Sequence, residues 1–395
     1  MHVNMKKTKN RSFLFMHERI SRLKRMGDGA LLCVVLLGIQ MGMCWPTFAA
    51  SASMSKIEAL LVLSQKIEDD LVTNKSFFMD ETLDAYLSSV TSNLITHATG
   101  TVENVRVRVI PKEYPYACSY PHGLILIDAS LLALMKNEAQ LAAILSREVA
   151  HLVSRHPLVY ADKESGLLNN SASTNKADVL WKALAIDGYA KNVEAEADRD
   201  GFAMMKAAGY DMRESIEAFQ LLLFKAMGSP SHFFYNKKLS LLPTLQYYYR
   251  SISTNNSLAE GITRTQEYRD ATQNATVEDV RMRMLRHNYI DVKDVLDEVV
   301  QFNPSNALAH ALLGEFYRLC GPGPNHLDVA IAQYAESIIL NPTNASVYLE
   351  LGLLLRQTGK YAESKLVLKK YLELKPEAPD VSIVRGYVDE AAPSK

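Results

Sequence analysis

The pentapeptide Asn303-Pro304-Ser305-Asn306-Ala307 returns almost unchanged as Asn341-Pro342-Thr343-Asn344-Ala345, and Lys375-Pro376 follows. The offsets are 38 and 34 residues; four extra residues in the turn around Gly321-Pro322-Gly323-Pro324 account for the longer one. In that register Leu313, Gly314, Tyr317, Gly321, Ala330, Tyr334 and Pro342 occupy the signature positions of one unit, and Tyr348, Leu351, Gly352, Leu355, Gly359, Leu368 and Pro376 occupy those of the next. Small residues let two helices of a pair approach, and large apolar residues fill the gap between them. A chain with this pattern must stack helical hairpins, because one unit cannot bury its apolar face alone.

Thirty-four residues is the tetratricopeptide period. Val295, Leu296, Val299 and Val300 before Pro304 read as the second helix of an earlier, worn unit, and residues 381–388 as a capping helix. Residues 304–395 are therefore expected to form an all-α tetratricopeptide solenoid, preceded by a linker and degenerate repeat over 254–303.

The other end of the chain is an address. Residues 1–28 carry eight basic and two acidic side chains, an apolar core runs from Ala30 to Met41, and Ala49-Ala50-Ser51 is small. That order is a secretory signal. Residues 1–50 are read as a signal peptide; an uncleaved anchor is the alternative, since 29–50 hold no charge. The chain is expected to be exported, periplasmic or membrane-associated. The residue before Cys44 is Met43, not a small one, so a lipid-attachment site is not expected. The rest of the chain has a small net negative charge, which argues against nucleic acid as partner. At 48% hydrophobic and 22% charged, the composition excludes collagen-like, disordered and multi-span classes. Cys118 and Cys320 are left in the exported body, too few for a disulfide scaffold.

Between the two lies the chemistry. Residues 55–98 have helical spacing, 105–110 alternate as a strand, and Gly123-Leu124-Ile125-Leu126-Ile127 reads as a second strand, placed at an edge by Pro121 and Gly123. Leu131 to His156 is expected as one helix stopping at Pro157, 160–178 as a polar loop, and Leu180 to Ala208 as a helix closed by Gly209. The first helix carries Arg147-Glu148-Val149-Ala150-His151. Two histidines four apart on one helical face grip a metal, with the intervening Glu as base; here the first is Arg147. Glu148 and His151 alone are more often a solvated or capping pair. Glu194 and Asp198, four apart on a later helix, share a face. Alone they would be an acidic solvated face. Together with the first helix they suit a metal ligand and a carboxylate that orients one. No Gly-x-Ser-x-Gly elbow surrounds Ser146 or Ser154, and no phosphate-binding Gly-rich loop occurs. The aromatic and basic cluster over 233–250 is read as core with a wet rim, and His122 and His156 as surface histidines.

From about residue 55 to 253 the chain resembles metallopeptidase family forty-eight. Tyr116-Ala117-Cys118-Ser119-Tyr120-Pro121-His122-Gly123 is similar to its strand entry, Leu141 to His151 to its metal-binding helix, and Glu194 to Gly201 with Ala208 to Asp211 to its third-ligand helix. The resemblance implies an α+β zincin-like metallopeptidase domain over 51–253. It makes Glu148 the general base, His151 and Glu194 zinc ligands, and Asp198 the partner that orients a ligand. It implies that strand 123–127 pairs with an extended substrate. It also implies zinc as cofactor, and unfolded or assembling envelope and outer-membrane proteins as partners of cleft and repeats.

Two departures are visible. Arg147 stands at the first ligand, and an arginine cannot give a lone pair to a metal. Leu242-Pro243 stands where one branch has His-Pro. The guanidinium is expected to replace the metal and pair with Glu194 or Glu148, leaving an exported, client-binding pseudoenzyme of envelope protein quality control. The competing expectations are an active zinc endopeptidase with an altered ligand set, and a repeat scaffold whose protease-like domain is purely structural.

Overall fold

The computed structural model describes residues 56–111, 115–163, 189–228, 232–254 and 260–390. Residues 1–55, the expected signal among them, and most of the expected loop at 160–178 lie outside the described residues. Helices α1 (Lys56–Thr73) and α2 (Glu81–Thr96) come first. Strands β1 (Arg106–Ile110), β2 (Ala117–Ser119) and β3 (Leu124–Asp128) follow, then α3 (Ala129–Leu134), α4 (Glu138–Val153), α5 (His156–Lys163) and α6 (Lys191–Ala207). Next come α7 (Arg213–Gly228) and α8 (His232–Ser253). The helical remainder is α9 (Thr265–Leu285), α10 (Val292–Phe302), α11 (Ala307–Cys320), α12 (His326–Leu340), α13 (Ala345–Gln357), α14 (Tyr361–Leu374) and α15 (Val381–Asp389). An α+β domain is thus followed by an all-α region. Among the described residues no helix is long and apolar enough to cross a membrane.

The three strands lie in the order β1-β3-β2, with β3 parallel to β1 and antiparallel to β2. The strand expected at an edge is therefore the central one. Its run of four apolar residues is the signature of a strand covered on both faces, and all five residues of β3 are buried. Leu124 and Leu126 face a cluster with Ile110, Tyr120 and, from α1, Leu60 and Ile67; Ile125 and Ile127 face the main core under α2 and α4. Pro121 and Gly123 serve the β2–β3 turn instead, where Gly123 adopts φ +93° and its N–H donates to Tyr120 O at 3.0 Å.

The single helix expected from Leu131 to His156 is three. Asn137 caps α4 by accepting from Gln140 N at 2.9 Å, which breaks the path from α3. Pro157 lies in the first turn of α5, where a missing N–H costs nothing.

A charged cluster fastens α1 to the sheet. Glu68 accepts from Arg106 Nε at 2.9 Å, touches Arg106 Nη2 and lies 2.9 Å from His122 Nε2. His122 is therefore a half-buried turn residue rather than a free surface one; its side chain is 8% exposed. Burial alone would raise the Glu68 pKa, but Arg106 and His122 outweigh it and hold the carboxyl below its ordinary range. Burial, aided by the Arg106 charge, lowers His122 despite Glu68. Lowered folded-state values mean that the unfolded chain binds more protons, so this stability is complete above about pH 6.5 and is lost on acidification. Hydrogen exchange should show α1 well protected at neutral pH and loosened near pH 5, ahead of β3. Equal protection of α1 at both values would contradict the assignment.

Residues 265–302, expected as linker and worn repeat, are the two helices α9 and α10. Helix α9 packs on the first domain: Tyr268 Oη donates to Leu132 O at 2.6 Å and Asn274 Nδ2 to Asp80 Oδ2 at 2.9 Å. Beyond them, α11 with α12 and α13 with α14 form closely packed pairs. A methyl on Gly314 would stand 2.7 Å from Tyr334 Cδ1, and one on Gly352 2.4 Å from Leu368 Cδ2. A Cβ at either place would force the facing side chain, or the pair itself, to shift. Arg318 and Arg356 reach from α11 to Glu350 of α13 and from α13 to Glu390 beyond α15, so the same residue type bridges successive pairs.

Candidate active site

Helix α4 presents Arg147, Glu148 and His151, all buried, and α6 presents Glu194 and Asp198. The helices meet because Gly201 is three residues past Asp198, on the same face. A Cβ there would lie 3.0 Å from Arg147 N and 3.1 Å from Arg147 Cα. Backbone cannot step aside as a side chain can. Gly201→Ala should therefore push α6 off α4 and cost about 1–3 kcal/mol, read as a lower urea midpoint with an unchanged slope.

Arg147 fills the space between the helices. Its Nε donates to Asp198 Oδ1 at 2.8 Å, and its Nη2 contacts Glu194 Oε2. The sequence expectation named Glu194 or Glu148; the partners are Glu194 and Asp198. A planar fork can hold two carboxylates at once, whereas Glu148, next in sequence, points to another face of α4. Burial opposes the positive charge, but Glu194, Asp198 and Glu148 outweigh it and keep Arg147 protonated. Thr244 of α8 completes the network by donating to Asp198 Oδ2 at 2.9 Å.

His151 looks in two directions. Nε2 lies 3.7 Å from Glu194 Oε2 and Nδ1 lies 3.1 Å from His156 Nδ1. The ring of Tyr189 stacks on it at 4.4 Å between centroids, and Tyr189 N–H donates to Glu194 Oε1 at 2.9 Å. His156 is thus buried rather than a surface residue, because α5 turns back to set it against His151; His122 does not reach the site. Tyr189 had no sequence signal. Thr244 directly follows Leu242-Pro243, where the family comparison pointed. Leu242 itself is 38% exposed, while Leu241 turns inward.

Glu148 lines a small pocket with Pro115, Ala117, Leu131, Ile144, Phe219 and Leu241 among its walls. Strand β2 forms one side. Asp128 N donates to Tyr116 O and Tyr120 N to Leu124 O, so alternate residues of this strand bond to β3. The peptide groups of Ala117 and Ser119 therefore face away from β3. β3 is bonded on both sides, so it cannot accept an extended polypeptide as expected; among the described residues the edge of β2 away from β3 pairs with no strand, and all three residues of β2 are buried.

The donors do not fit zinc. A catalytic zinc takes three protein ligands and a water. Of the residues that resemblance proposes, His151 and Glu194 are the only nitrogen and oxygen ligands, and Glu194 is engaged by a permanent cation at the place of the third. Among the described residues, no three His, Cys, Asp or Glu side chains converge as a metal site.

Residues 81–251 match the model of peptidase family M48, so this part of the chain is similar to that family. The curated relatives include the beta-barrel assembly-enhancing protease of Escherichia coli K12, and those of Shigella flexneri and Escherichia coli O157:H7. Each is 22% identical over 225 residues, which cover 50% of this chain and 46% of the relative. The chain spans about half the length of the curated relatives it matches.

Proposed function

We propose that this is an exported M48-family protein that binds polypeptide clients in envelope protein quality control and does not cleave them as a zinc peptidase would. The observation that carries the second half is Arg147, whose guanidinium is bonded to both Glu194 and Asp198. A metal entering there would have to displace a charge-assisted pair and then tolerate a neighbouring cation. The first half rests on the likeness to the beta-barrel assembly-enhancing proteases and on the basic-apolar-small order of residues 1–50. Clients would add a strand to the rim of β2 beside Glu148, and would be held further by the helical pairs α11 to α14, which we take to be tetratricopeptide repeats.

The test is an unfolded outer-membrane protein or casein incubated with the full chain, with and without chelator, beside Glu148→Gln. Client binding with no cleavage in any arm is expected. Cleavage abolished by both chelator and Glu148→Gln would establish instead an active zinc endopeptidase with an altered ligand set. Binding that survives blockage of the β2 rim by Ala117→Pro, in a folded variant, would leave the protease-like domain as a support for the repeats.

A further inference from the structure

The charges of the site do not balance. Three carboxylates, Glu148, Glu194 and Asp198, surround one guanidinium. Two of them are bonded to Arg147. The third, Glu148, is 6% exposed, and among the described residues it makes no hydrogen bond and no ion pair. The walls beside it are mostly apolar, with Leu131, Ile144, Phe219, Leu222 and Leu241, and Arg147 also lines the pocket. A carboxylate so placed is short of a counter-charge and of donors. The pocket is partly open, and its room is ≈ 20 Å³, enough for one water-sized group.

We propose that this pocket receives a primary ammonium group, with Glu148 as its counter-ion. An ammonium head is the size of a water molecule and carries three donors. The aliphatic carbons behind it suit the apolar walls, as lysine stems do elsewhere. A polypeptide offers this chemistry in a lysine side chain or at its amino terminus. Arg147 does not repel it decisively, because Glu194 and Asp198 already neutralise that charge. This inference rests on clients entering the cleft, and it gives Glu148 a binding role that needs no metal.

The test uses the full chain in buffer containing chelator, titrated with n-butylammonium chloride and followed by calorimetry or by NMR of the Leu131 and Leu241 methyl groups. Saturable binding is expected. Glu148→Gln, shown to be folded by circular dichroism, should weaken it at least about tenfold, since a charged hydrogen-bond partner is lost. Nα-acetyl-lysinamide and leucinamide then separate the two sources: the first assigns a lysine side chain, the second an amino terminus. Nα-acetyl-leucinamide, which has no ammonium, should not bind. No binding by butylammonium, or equal binding by Glu148→Gln, overturns the proposal. Loss of client binding with ammonium binding intact would sink the proposed function and leave the pocket standing.

Discussion

Arg147→Leu is expected to destabilise the protein by about 3–5 kcal/mol, the usual cost of removing one partner from a buried ion pair. Arg147, Glu194 and Asp198 have side chains 8%, 12% and 3% exposed, so solvent cannot compensate the two carboxylates left behind. Leucine fills much of the volume, so the loss is electrostatic rather than a cavity. The triple variant Arg147→Leu, Glu194→Gln, Asp198→Asn should regain much of the stability, because apolar or neutral replacements of a whole buried network are often near neutral. Equilibrium denaturation of the two variants decides the matter; equal instability of both would mean that shape, not charge, is at stake. Arg147→His gives a further contrast. It supplies a third donor beside His151 and Glu194, so its stability should rise with added zinc while the parent's does not.

Glu138→Ala should also be damaging, by roughly 1–3 kcal/mol for each of the two phenols left without an acceptor. Glu138 is 1% exposed and accepts from Tyr86 Oη, Tyr210 Oη and Arg264 Nη1, each at 2.8 Å. Burial and this carboxylate hold both phenols well above their ordinary range, so they stay protonated donors. Removing the acceptor unties three parts of the chain, α2, the turn after α6 and the residue before α9; it leaves the two phenols without an acceptor, while Arg264, 46% exposed, can turn to water. Arg264, at φ 45°, pays for a left-handed backbone to make its contact. The readout is limited proteolysis near residues 260–265 together with a denaturation midpoint; a midpoint within about 0.5 kcal/mol of the parent would show that Glu138 is only a surface-like cap.

Most of the site was legible in the sequence because helical spacing alone puts Glu148 beside Arg147 and His151 on α4, and Glu194 with Asp198 on one face of α6. What spacing cannot give is which side chains meet across the gap. Arg147 reaches past Glu148 to Asp198 because Gly201 lets the second helix come within touching distance; the sequence shows that glycine as the end of the Glu194 to Gly201 segment but not what it touches. The edge placement of β3 failed for a related reason. Pro121 and Gly123 suit an edge strand, whereas the unbroken apolar run of β3 is the stronger sign of burial on both faces. His156 and Tyr189 came to the site through a turn and a helix entry, neither of which has a periodicity to read. In the helical region, by contrast, Gly314 and Gly352 sit in the tight helix contacts that their spacing implied.

The fastening of α9 has one more consequence. Tyr268, Arg264 and Asn274 bolt the first long helix after the cleft to Leu132, Glu138 and Asp80. The separation between the cleft rim and the helical pairs is thus set by the frame and not by a tether. A polypeptide engaging both gains the second contact at high effective concentration, but only if it is long enough to span that separation. If clients bind as proposed, extended chains should be retained, and fragments too short to bridge the two contacts should be let go.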